Sequence, residues 1–209
     1  MTAMSAMRRI SLTLFLTGCA VGLHFAAGLR PRLDLQFHAL SMSNVYRVVT
    51  CHWLHWSADH LIWDLVVFAV LGAMCEWRSP RSYLGTVLLS AIAIPLCVMH
   101  WLPEVGSYRG LSGIDTALFG LLVSGLLVQR TKDHDWSGTL LFAFFLIGLS
   151  GKITMETISH TNIFVSDTSF VPVPLAHLVG AIIGVATGVS EWLVVTPKHK
   201  FRQQTEFSS

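Results

Sequence analysis

The chain has 209 residues, of which 53% are hydrophobic and 12% charged, with a formal net charge of +2. Soluble domains carry about 25% charged residues, so composition excludes an ordinary water-soluble globule and points to a membrane protein. The charge balance gives no electrostatic footprint for nucleic acid, and Cys19, Cys51, Cys75 and Cys97 lack metal-like or redox-like spacing and read as small packing hydrophobes.

A bilayer core takes roughly 20 mostly apolar residues per helix, and six stretches qualify: residues 10–29, 59–76, 83–102, 112–129, 138–157 and 173–195. The first has a poorly formed small-residue exit around Ala26, Ala27 and Gly28, and five spans follow it. It is therefore read as a helix and not as a signal peptide. The predicted fold class is all-α, a polytopic bundle of six transmembrane helices in which residues 1–209 form one membrane domain with little length left for a soluble one. The longest non-spanning stretch is 30–58, where Trp53 and Trp56 suit an outer interfacial belt.

Basic residues set the expected orientation. Arg8, Arg9, Arg78, Arg81, Arg130, Lys132, Lys198, Lys200 and Arg202 fall on one side, against Arg30, Arg32, Arg47 and Arg109 on the other. Short basic loops stay in the cytoplasm, so both termini are expected there and the loop before residue 112 on the outer side. Lys152 lies inside the fifth span.

The entry to the second span reads CHWLHWSADHLIWD, residues 51–64. His60 and Asp64 are one helical turn apart and share a face. Two chemistries compete for this cluster. Imidazoles and a carboxylate are reasonable metal ligands, although no HExxH pair is present; alternatively His60 donates to an oxyanion while His52 and His55 are structural. No cofactor and no metal are expected.

Ser112 opens the fourth span between Gly110 and Gly113. The unpaired N–H groups and positive dipole end of a helix starting there would favour developing negative charge. Ser112, Thr116, Gly120 and Ser124 recur every four residues. The sixth span carries a matching stripe of Gly180, Gly184 and Gly188, with His177 one turn before it. Small-residue stripes let helix backbones approach closely, and packing the two together would bring an imidazole over the hydroxyl, as an activated serine requires. Ordinary helix packing and a serine N-cap would account for the stripes without chemistry, but an ionisable side chain inside a membrane is costly to keep and marks function by default.

These segments resemble the rhomboid family of intramembrane serine proteases. The likeness runs through HWSADHLIWDL (55–65), LGAMCEW (71–77), GLSGIDTALFG (110–120) and AHLVGAIIGVATG (176–188), a core of about 46–190. It implies a rhomboid-like bundle in which Ser112 is the nucleophile and His177 the general base of a dyad. His60 would be the oxyanion histidine and Gly110 the glycine of the GxSx motif. The substrates implied are single-pass membrane proteins, met in the lipid of a bacterial cytoplasmic membrane with the site facing outward. Asp64 departs from the family, which usually has asparagine there. A protonated Asp64 would donate to the oxyanion, whereas an ionised one would only accept and would pair with His60. Lys152 and Glu156, at i and i+4, look like the rhombosortase branch, associated with Gly-Gly-containing C-terminal sorting signals, or else form a helix-stabilising ion pair. The rival readings are a non-catalytic rhomboid-like protein that binds transmembrane helices and a metal-dependent membrane hydrolase.

Overall fold

A computed structural model describes residues 7, 9–26, 28–159 and 173–195, with side chains through residue 191. Six long helices dominate it: α1 Ser11–Phe25, α2 Ala58–Arg78, α3 Pro80–Trp101, α4 Ser112–Lys132, α5 Trp136–Ser159 and α6 Pro174–Val195. Five of them, α2 to α6, are long and apolar enough to cross a membrane. The helix predicted over 10–29 is shorter than expected, covering 15 residues. It stops where Ala26 donates back to Gly22 and the chain turns toward Arg30. The other helices mostly outrun their apolar windows: α3 begins at Pro80, whose fixed φ and missing N–H suit a first turn, and α4 continues through Gln129–Lys132.

The first turn of α1 is satisfied from a neighbour. Glu76 of α2 accepts from the N–H groups of Leu12 (3.0 Å) and Thr13 (2.8 Å) and from the Thr13 hydroxyl (2.7 Å). A buried carboxylate is thus matched to orphan helix donors and to the positive end of the dipole. A Cβ on Gly72 would lie 2.8 Å from Thr13 Cγ2, so α1 and α2 cross here with no room for a side chain.

Helix α4 is the centre of the bundle. Twelve of its residues are buried, from Gly113 to Gly125, within a core that includes Phe68, Tyr83, Ile94, Val98, Leu111, Ile114 and Leu118. It runs parallel to α6 in backbone contact: a Cβ on Gly180 would stand 3.3 Å from Ala117 N, one on Gly184 2.9 Å from Leu121 N, and one on Gly188 3.1 Å from Gly125 N. From the other side a Cβ on Gly120 would stand 3.1 Å from Val185 N. The glycine stripe of α6 therefore packs on α4 as expected, but on the row Gly113, Ala117, Leu121 and Gly125; of the stripe predicted on α4, Gly120 and Ser124 lie at the contact, whereas Ser112 and Thr116 line the cavity. Helix α5 is peripheral, with Ile153 and Glu156 as its buried residues and Leu140, Phe144, Ile147 and Ile158 exposed.

Residues 30–57 form short helical turns on the end of the bundle where α4 and α6 begin. Strand β1, Leu35–Gln36, pairs antiparallel with β2, Ser107–Tyr108, in the register Leu35 to Tyr108 and Gln36 to Ser107. This pairing fixes the early segment to the loop that leads into α4. Trp53 is 8% exposed and belongs to the core, which corrects its expected place in an interfacial belt; Trp56 is 36% exposed.

Adding a methyl at Gly184 would drive it into the Ala117 carbonyl oxygen. Gly184→Ala is therefore expected to cost about 1–3 kcal/mol through overpacking and to inactivate the protein by displacing α6. Gly85→Ala, whose new methyl meets nothing within 4 Å, is expected to be neutral or to stabilise by about 0.5–1 kcal/mol. Thermal unfolding in one detergent checks both, and equal behaviour of the two variants would refute the contact.

Candidate active site

The loop Arg109–Leu111 is held from every side before α4 begins. Arg109 donates to both oxygens of Asp34, from Nε at 2.7 Å and Nη2 at 2.6 Å, and its guanidinium lies 4.1 Å from the ring centre of Trp56. Gly110 has φ +114 and donates to the Cys51 carbonyl at 3.3 Å. A side chain there would be strained by the backbone and would also place Cβ 2.9 Å from His60 Nε2. Leu111 donates its N–H to Asp64 Oδ2 at 2.9 Å. Ser112 follows as the first residue of α4. Helix geometry leaves the N–H groups of Ser112, Gly113 and Ile114 without a carbonyl one turn back, whereas that of Asp115 bonds Leu111 O at 2.9 Å.

His52 closes the clamp. It is fully buried, with Nδ1 3.2 Å from the Gly110 carbonyl and Nε2 3.1 Å from the Ala91 carbonyl. Ala91 is four residues before Pro95, which has no N–H to donate back. The imidazole fills the bonding position that proline leaves open. A neutral ring donates to only one of its two carbonyls.

Asp64 is 5% exposed and sits between two imidazoles, with its Oδ2 3.2 Å from Nε2 of both His55 and His60. The rings of His55 and His60 pack edge to face at 5.2 Å. Among the described residues, no group of three or more His, Cys, Asp or Glu side chains is arranged to hold a metal ion.

His177 lies in the first turn of α6. Its Nδ1 is 2.7 Å from Glu156 Oε2 on α5, and the other oxygen of Glu156 accepts from Lys152 Nζ at 2.7 Å. Lys152 Nζ is also 3.5 Å from His177 Nδ1. Glu156 is 2% and His177 7% exposed.

A cavity of about 710 Å³ joins these groups: Ser112, His177, His60 and Asp64 all line it, with Lys152 and Glu156. Gly110 approaches the same place through its backbone. Two contributors escaped the sequence reading. Glu156 looks like Lys152's partner in sequence, and its second contact depends on how α5 docks against α6. His52 was read as structural, without the two carbonyls it meets. Asp115, a buried carboxyl lining the cavity, sits in a first helical turn where acids are common.

The Rhomboid domain model matches residues 42–193 of the chain. No curated protein matches it.

Burial holds the His52 imidazole at about 4, below the ordinary 6.5, against the opposing pull of its two carbonyl neighbours. A depressed histidine contributes its stability in full above about 6.5, because folded and unfolded rings are then both neutral. As pH falls from there toward 4, the unfolded chain takes up a proton that the folded chain refuses. The loss amounts to as much as about 3 kcal/mol at about 1.4 kcal/mol per unit. His52→Gln should flatten the acid side of the stability profile over this window. An unchanged slope in thermal unfolding against pH would rule this role out.

Proposed function

The chain belongs to the rhomboid family, whose members are intramembrane serine proteases, and from that premise we propose that it hydrolyses a peptide bond in or just above the transmembrane helix of a membrane-anchored protein. Ser112 attacks the carbonyl carbon, and His177 takes the hydroxyl proton on Nε2 and returns it to the leaving amine. Water then repeats the exchange: its proton passes to His177, its oxygen to the acyl carbon, and Ser112 is regenerated. No cofactor is required. The observation that carries this reading is that Ser112 and His177, each at the start of its helix, line one cavity because α4 and α6 run parallel in backbone contact.

The oxyanion would form beside Gly110, where the unpaired amide of Ser112 and the His60 ring meet. Leu111 N–H donates to Asp64 Oδ2, and two imidazole nitrogens lie 3.2 Å from the same oxygen. One N–H donor and two imidazole nitrogens gathered around a single oxygen support the ionised carboxylate, paired with His60, over the protonated donor. Substrate helices with small or helix-breaking residues fit best, since a backbone locked in helical hydrogen bonds is hard to present to a nucleophile.

The finer readings rest on sequence. The Lys152–Glu156 pair in the fifth span supports the rhombosortase branch and a C-terminal sorting signal as substrate. The family resemblance supports a bacterial cytoplasmic membrane, and the distribution of basic residues supports both termini inside and the cavity opening outward.

A fluorophosphonate should label Ser112 in the membrane-embedded protein, and Ser112→Ala and His177→Ala should each abolish cleavage of a model transmembrane substrate without additive effects. His60→Ala should lose about 10²- to 10³-fold in turnover while retaining slower labelling. Cleavage by folded Ser112→Ala would end the protease reading, and absent labelling would favour a protein that only binds helices.

Asp64→Asn separates the two roles of that residue. With an ionised Asp64 orienting His60, the amide should lower turnover across the pH range and leave its shape unchanged. Preserved or raised activity would make Asp64 a protonated donor instead.

A further inference from the structure

We propose that Glu156 is the positioning residue of the catalytic histidine, so that this chain uses a Ser112–His177–Glu156 array in place of a bare dyad; the inference rests on the protease reading above. As a helix-stabilising partner of Lys152, Glu156 would need one oxygen. It uses both: Oε1 accepts from Lys152 on its own helix, and Oε2 reaches across to Nδ1 of His177 on α6, each at 2.7 Å. The second contact is shorter than an ordinary N–H···O bond between neutral groups and falls in the range of charge-assisted ones.

The chemical consequence follows from the two nitrogens of the ring. A carboxylate oxygen only accepts, so Glu156 keeps the proton on Nδ1 and leaves Nε2 with its lone pair, the form a general base needs. When Nε2 takes the Ser112 proton the ring becomes a cation, and the carboxylate 2.7 Å from Nδ1 stabilises it without being protonated itself. Lys152 balances the charge of Glu156 in surroundings where an isolated carboxylate would be expensive. The other charged or titratable groups lining the same cavity are Asp115 on α4, His60 and Asp64 on α2, and Arg109 and Tyr108 in the loop before α4. Each lies on another element; at His177 Nδ1 the N–H donates to Glu156 Oε2, and the Lys152 ammonium, 3.5 Å away, acts there as a charge and not as a second hydrogen bond to that nitrogen.

The full chain in detergent provides the test, with turnover of a model transmembrane substrate, fluorophosphonate labelling of Ser112 and ¹⁵N signals of His177 read together. Glu156→Gln should lower kcat by roughly 10²- to 10⁴-fold with little change in KM. It should slow labelling in parallel and move the His177 signals away from a single Nδ1–H form, since an amide can donate to Nδ1 as well as accept from it. Glu156→Asp should recover part of the loss. Lys152→Met removes the ion pair and leaves the Glu156 contact with His177, so it should cost less than tenfold and preserve the ring's tautomer. Should Glu156→Gln fail to fold, Glu156→Asp and Lys152→Met still decide. Equal losses in these two with an unchanged His177 signal would mean a structural ion pair and overturn the assignment. Wild-type turnover by Glu156→Gln beside inactive Ser112→Ala would remove Glu156 and leave the protease intact. Activity in Ser112→Ala would remove both.

Discussion

The backbone contact between α4 and α6 is the constraint on which the rest of the molecule depends. In lipid there is little hydrophobic drive to press one apolar helix on another, so close van der Waals fit and hydrogen bonds must hold the pair. Gly180, Gly184 and Gly188 let α6 lie against the backbone of α4, Gly113 and Gly120 do the same from the facing helix, and the Ser124 hydroxyl donates across the contact to the Val185 carbonyl at 3.4 Å. The geometry that satisfies packing also sets the chemistry. Because the helices are parallel, their first turns lie at the same end of the bundle, and Ser112, Asp115 and His177 are brought together there.

Packing brings the two helices together but does not aim the serine. Aim comes from the loop before it, which is tied to three separate parts of the chain: Arg109 and Ser107–Tyr108 to Asp34 and the adjoining β1, Gly110 to Cys51 and His52, and Leu111 to Asp64. Groups that must stay within a few tenths of an ångström of a reacting geometry are held by a supporting shell. Here that shell is drawn largely from residues 34–64, which explains why so much polar chain is spent on a segment that does not span. The proline of α3 joins the same scheme, since the carbonyl it frees is one of the two anchors of His52.

How much of this was legible in the sequence follows from which contacts are local. The apolar windows located α2 to α6 within a few residues, because hydropathy reports a helix directly; the ends drifted where polar residues such as Gln129–Lys132 continue a helix beyond its apolar stretch. The glycine stripe of α6 was visible because its four-residue period is a property of a single helix, whereas the row it meets on α4, Gly113, Ala117 and Leu121, is set by how the two helices dock. Trp53 was misplaced because an amphipathic ring near a span reads as interfacial, while its burial depends on how residues 30–57 fold back onto the core. Glu156 failed for the same reason: its i, i+4 neighbour was in plain view, and its partner 21 residues away was not.

Two buried glutamates show how a bilayer protein accommodates carboxylates. Glu76 meets the free N–H groups at the start of α1, a site every helix must satisfy somehow, so its presence is explained by folding alone. Glu156 instead meets two side chains, Lys152 and His177. Helix α5 buries only Ile153 and Glu156 among its 24 residues; it packs mainly along α4, where Phe145 meets Phe119, and Glu156 is its polar tie to α6. Unlike Glu76, then, Glu156 joins docking to chemistry: the contact that seats α5 beside α6 is the same contact that orients His177.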